Sequence, residues 1–221
     1  MGNRVSFDLY CPGRRKCKME RGGIMYEGLV AHLQENPANQ YTVKEAEKLA
    51  DRVLEEGGYG DISGPTPIVA IAGAFGISTF KEANMPEDIS GNIYVGGTTR
   101  DIYNTDRVIV VGDREEYFHQ RFIVAHELAH YLMDYVGSPE SSDRRLLFSR
   151  TYPRKGHDSD VEIRADRFAA ELLMPAKQFI RQYLKAMENS GYHMRYTVIY
   201  LSNYFETKKS SVERRMKEVI Y

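Results

Sequence analysis

From Thr42 onward the apolar positions recur with helical spacing. Thr42-Val-Lys-Glu45 has the form of a capping box, and Ala46, Leu49, Ala50, Val53 and Leu54 continue the period set by Val43. This predicts a helix with one buried face, stopped by Gly57 and Gly58. Residues 68–75 read as a short helix opened by Pro67 and closed by Gly76, and residues 77–80 as a strand. Residues 92–95 and 108–111 are two further strand candidates, and the polar stretch between them is a hairpin loop or a substrate-facing edge. From Glu115 to about Tyr135 the pattern is again helical, with Phe118, Phe122, Ala125, Ala129, Leu132 and Met133 on one face. Residues 137–157, rich in Ser, Pro, Arg and Asp, predict a long functional or mobile loop, with a lid as one reading.

A second capping box, Ser159-Asp-Val-Glu162, opens a helix running through Leu173 to Pro175, where another helix can start. In the tail, Val198, Leu201 and Phe205, then Val212, Met216 and Ile220, mark two short amphipathic helices, the second capped by Ser210 with Glu213. The first forty residues mix a basic cluster with Pro and Gly and show no sustained period. The expected organisation is therefore an extension over 1–40, a core over 41–175 and a C-terminal helical, helix-turn-helix-like subdomain over 176–221.

Composition narrows this picture. The chain has 221 residues, of which 42% are hydrophobic, and a net charge of −1. That is enough to pack a core, and it carries no overall pull toward nucleic acid or an anionic membrane. Cys11 and Cys17 are the only cysteines. No disulfide framework can hold the body together, and a reducing compartment is expected. No apolar run reaches membrane-spanning length and no signal peptide is read, so the expected location is the cytoplasm. The myristoylation pattern at Met1–Ser6 is short enough to be chance.

The chemistry centres on His126-Glu127-Leu-Ala-His130. Two His four apart on a helix project from one face and can offer both imidazoles to one metal ion. With six His in the chain, the bare motif arises by chance about once in seventy such sequences, so context must carry the rest. A catalytic zinc takes three protein ligands and keeps one position open. Glu162 is the best candidate for the third, because Asp166, one turn later, points the same way and can accept the free N–H of a ligating imidazole. The plainer reading of the pair is two solvated acids in the first turn of a helix.

Arg121-Phe-Ile-Val-Ala-His-Glu-Leu-Ala-His130 and Glu162-Ile-Arg-Ala-Asp-Arg-Phe-Ala-Ala-Glu-Leu-Leu-Met-Pro175 resemble the ImmA/IrrE family of metallo-endopeptidases. The similarity covers residues 42–221. It implies an α+β, zincin-like core with a small sheet and a C-terminal helical appendage. It further implies that His126, His130 and Glu162 bind one Zn²⁺ per chain, that Glu127 is the catalytic acid/base, and that the substrate is a helix-turn-helix repressor of a mobile-element or stress regulon. Ala129 stands where the family usually has Gly, and the first forty residues have no family counterpart. A non-catalytic regulator or antitoxin-like binding protein, with a structural or vestigial metal site, is the alternative.

His157, Tyr152 and Tyr103 are candidates for oxyanion or substrate contacts, each with surface or packing as the simpler role. His119 lies about 10 Å along the helix from His126, too far to be a ligand, and His32 and His193 have no motif around them. The five residues between Cys11 and Cys17 do not fit a structural zinc pair, so two free thiols are expected. The tail from Ala176 holds nine Lys/Arg against four Glu. A helical buttress or a partner surface is favoured there over DNA binding, because no long basic stripe interleaves with aromatics.

Overall fold

The structure, a computed structural model, describes residues 5–6, 26–37, 41–96, 99–137, 148–153 and 159–221. Cys11, Cys17 and His157, and most of the expected 137–157 loop, lie outside these residues.

The architecture is mixed α+β. Strands β1 (Val5–Ser6), β2 (Ser78–Glu82), β3 (Ile89–Val95), β4 (Arg107–Gly112) and β5 (Phe148–Pro153) form one sheet in the order β1-β2-β4-β3-β5. Among the described strands only the β2–β4 pair is parallel. β3 and β4 run antiparallel, with Ile93 opposite Ile109. Ile93, Val95, Ile109 and Val111 point into the main core, as the alternation of side chains along a strand requires. The connection between β3 and β4 carries a short helix, α4 (Thr99–Tyr103), rather than a plain loop. β5 falls inside the stretch expected to be loop and pairs along β3 from Val95 to Ile89. Its sequence, Phe-Ser-Arg-Thr-Tyr-Pro, is too polar to read as a buried strand.

Helix α2 (Val43–Glu56) has the predicted capping box: Thr42 Oγ1 accepts from Glu45 N, and Thr42 N donates to the Glu45 carboxylate at 2.7 Å. Helix α3 (Ile68–Ala74) follows Pro67 and ends where Gly76 takes φ +72°, a conformation that costs Gly little. Helix α5 (Tyr117–His130) continues into a π-helical turn, Tyr131–Val136. It lies close over β3, because a Cβ at Gly91 would meet Ile123 Cγ2 at 2.2 Å. Helix α6 (Asp160–Leu173) packs between α2 and α5, and both its Ala165-Phe168-Ala169-Leu172 face and α5 are buried in the same cluster. The segment read as an extension also contributes here. Helix α1 (Glu27–Glu35) buries Leu29 and Leu33, and Tyr26 stacks on Phe75 with ring centroids 4.1 Å apart. Nine residues with two anchoring positions are too short a run for periodicity to detect.

Helices α7 (Ala176–Asn189), α8 (Met194–Phe205) and α9 (Lys209–Val219) gather around a second, smaller core of Phe179, Tyr183, Val198, Leu201, Phe205, Val212 and Met216. The α8–α9 turn passes through Glu206 at φ +51°. The expected Ser210–Glu213 cap does not form. α9 begins two residues earlier than that cap would place it, with Lys208 at the cap position and no side-chain cap, so Ser210 lies within the first turn. Among the described residues no helix is long and apolar enough to cross a membrane.

Candidate metal centre

His126 and His130 sit one turn apart on the buried face of α5, and Glu162 faces them from the first turn of α6. The three Nε2 and carboxylate donors converge. His126 Nε2 is 3.0 Å from His130 Nε2 and 3.1 Å from Glu162 Oε2, and His130 Nε2 is 3.5 Å from Glu162 Oε1. A tetrahedral ion with bonds of about 2.0–2.1 Å needs its donors about 3.3 Å apart, so these residues fit zinc in both spacing and ligand type. Among the described residues, this is the group of three that could hold a metal ion.

Glu162 also explains why the second capping box is only half formed. Its backbone N–H reaches Ser159 Oγ at 3.4 Å, whereas its carboxylate turns inward to the imidazoles. The outward ring nitrogens are both held by carboxylates. His126 Nδ1 lies 3.0 Å from Asp166 Oδ1, and His130 Nδ1 lies 2.6 Å from Asp134 Oδ2. Such contacts fix the tautomer that leaves Nε2 free to ligate. Sequence reasoning found Asp166 and missed Asp134. The signal was present, since Asp134 is four residues after His130 and so on the same helical face.

Glu127 is fully buried. Neither of its carboxylate oxygens accepts a hydrogen bond of good geometry. Burial pushes its carboxyl up to about 7, against the pull of His130 and His126. At His130, burial opposes the charged ring, but hydrogen bonds to Asp134 and Glu162 outweigh it and raise the imidazole to about 9. At His126 burial acts in the same sense and is outweighed by Asp166 and Glu162, so its imidazole is also raised. Burial alone would raise Glu162, yet the two His hold its carboxyl far below the ordinary range. Two imidazoles facing each other at 3.0 Å cannot both carry a proton on Nε2, so the raised pair can hold a single shared proton there, or a metal ion in its place.

Tyr103 lies on α4, its ring 5.4 Å from that of Phe80. Tyr94, on β3, feels both Tyr103 and the Glu127 charge, and burial is the main reason its hydroxyl is raised. No sequence signal marked it. Tyr152 falls on β5, the strand beside β3. His119 pairs with Glu115 at 2.7 Å, away from the metal-facing nitrogens.

Fold and cluster together define a mixed α+β protein carrying a metal-competent His-His-Glu group. Residues 72–217 match the peptidase family described as the IrrE N-terminal-like domain, and the chain belongs to that family. No curated protein matches it. Among solved structures, a Mycobacterium tuberculosis transcriptional regulator is similar, with a TM-score of 0.48 and 18% identity. The match covers 88% of this chain and 52% of that one, so the chain spans about half the length of that protein.

Proposed function

We propose that the chain is a zinc-dependent endopeptidase. The observation that carries this reading is the convergence of His126, His130 and Glu162 beside a buried Glu127 whose carboxylate accepts no hydrogen bond of good geometry. Zinc held there would polarise the scissile carbonyl and acidify an attacking water. The chain's own residues do the rest. Asp166 and Asp134 hold the imidazoles by Nδ1 so that both Nε2 atoms point at one place. Glu162 supplies the negative charge that balances part of the cation. Glu127 takes a proton from the attacking water on a carboxylate oxygen and passes it to the leaving amine. Tyr103, Tyr152 and His157 remain candidates to donate to the oxyanion or to contact substrate. The resemblance to the ImmA/IrrE family supports a cytoplasmic protein whose substrate is a helix-turn-helix repressor, cleaved to release transcription.

The test begins with zinc stoichiometry on purified protein, wild type beside Glu162→Ala. About one zinc per chain, with a clear loss of affinity in the variant, is expected from a three-ligand site. A wild type that stays metal-free with zinc added overturns the reading. Glu127→Gln should keep zinc and lose cleavage of the repressor, and a Glu127→Gln variant that retains full biological activity would make the protein a binding regulator instead.

A further inference from the structure

A cleft of about 260 Å³ lies where α5, α6 and the start of α9 meet. Its floor is apolar, formed by Phe118 and Phe122, one turn apart on α5, with Ala170 and Met174 of α6. Its rim is polar and comes from Lys208, Ser210, Ser211 and Arg214. An apolar body with a few polar groups to one side is the build of a small-molecule site. The charges of the wall do not balance. Arg167, Lys208 and Arg214 stand against Asp166 and Glu218. Burial and then the Lys208 charge push the His119 imidazole below its ordinary value, so near neutral pH it adds no charge. Both acids are already engaged. Asp166 lies 3.0 Å from His126 Nδ1 and 3.6 Å from Arg214, and Glu218 pairs with Arg167 and Arg215. Behind the wall, Glu115 is taken by Ser90 and His119. The Lys208 ammonium, half-buried at the rim, has no ion pair or hydrogen bond among the described residues.

We propose that this cleft binds a small organic monoanion, a carboxylate joined to an aromatic group, with the ring on Phe118, Phe122 and Met174 and the carboxylate between Lys208 and Arg214. The two phenylalanines offer ring faces and edges to an aromatic partner, and a charged acceptor suits the cations and hydroxyls of the rim. One negative charge balances the wall. A dianion such as phosphate would overshoot that balance and leave the apolar floor uncovered, and a metal cation would meet an excess of positive charge. Asp166 joins the wall to the metal centre, but none of His126, Glu127, His130 and Glu162 lines the cleft. The site therefore stands apart from the proposed metal chemistry, and it can be occupied whether or not that chemistry occurs.

The test is an NMR titration of the isotope-labelled full chain with 3-phenylpropanoate, followed through the amide signals of residues 207–214. Saturable shifts with a Kd on the order of 0.1–1 mM are expected for so small a ligand, weakening with salt. Lys208→Glu reverses the unpartnered charge, and Ala170→Leu fills the floor. Each should weaken binding by about tenfold or more. Lys208 has no side-chain bond to lose, and an unchanged melting curve confirms that the variants fold. The neutral 3-phenylpropanamide should bind about tenfold more weakly, and acetate and phosphate should not saturate in the same range. Absence of saturable shifts, equal binding of the amide, or affinity untouched by both substitutions overturns the proposal. So does tighter binding of phosphate than of 3-phenylpropanoate, or a set of shifts centred away from the cleft.

Discussion

Two buried polar clusters join helices in this protein, and they differ in what they leave unmet. Around Arg215 the charges close on one another. Its guanidinium meets Glu171 and Glu218, its Nε donates to the Met174 carbonyl at 3.1 Å, and Glu171 also accepts from Ala176 N at 2.8 Å. Around His126 and His130 the donors converge on one another, and neither oxygen of the buried Glu127 carboxylate beside them accepts a hydrogen bond of good geometry. Native interiors satisfy their polar groups. A cluster that is complete holds elements together, and one that is incomplete marks a place for a ligand.

The sharpest way to break that comparison is Arg215→Ala, which strands Glu171 in the interior. A loss of about 3–5 kcal/mol in urea unfolding is expected, and a loss under about 1 kcal/mol would mean that the cluster does not dock α9. On the other side, Asp134→Asn should leave stability nearly unchanged while lowering zinc affinity about 10–100-fold in a chelator competition, with Asp166→Asn behaving alike.

The pH dependence separates the clusters further. With His130 raised to about 9, zinc must displace a proton below that pH, so affinity should fall about tenfold for each pH unit lower. The same shift acts on the metal-free fold in the opposite sense. A raised imidazole stabilises fully below its unfolded value, and that contribution is lost as pH rises through about 9. Proton release on zinc binding, measured calorimetrically in two buffers, checks the sign.

The smallest effect is at Asp51. Burial, then the charge and hydrogen bond of Glu171, raise its carboxyl to about 6. Its contribution is complete below the unfolded value and fades as pH rises through about 6. Solvent screening of this half-exposed group keeps the loss to no more than about 1 kcal/mol. Asp51→Asn should flatten the unfolding midpoint across that window.

The metal motif was legible because its signal is local. His126 and His130 are four apart on one helix, and helical geometry alone brings their rings together. Asp134 was legible by the same rule and passed over. Glu162 was singled out by Asp166 one turn later and by the match of a whole second block, since nothing else local says which acid will cross from α6 to α5. Gly91 shows the limit most plainly. In sequence it is one glycine in a strand candidate, and only the packed structure shows that Ile123 occupies the space its side chain would need. β5 and α1 were missed for a related reason, one being too polar to read as a strand and the other too short to announce the face it buries.

By itself, the sequence determined the helices with strong period and caps, the three central strands and the pair of imidazoles, because each depends on residues a few positions apart and on backbone geometry that does not vary. The tertiary structure decided which carboxylates meet those imidazoles, that Glu127 is buried, and that Arg215 on α9 is drawn into the interior while Lys177, Arg181 and Lys185 on α7 stay exposed. Those outcomes depend on contacts between residues tens of positions apart, where burial and pairing, rather than local propensity, set the free energy.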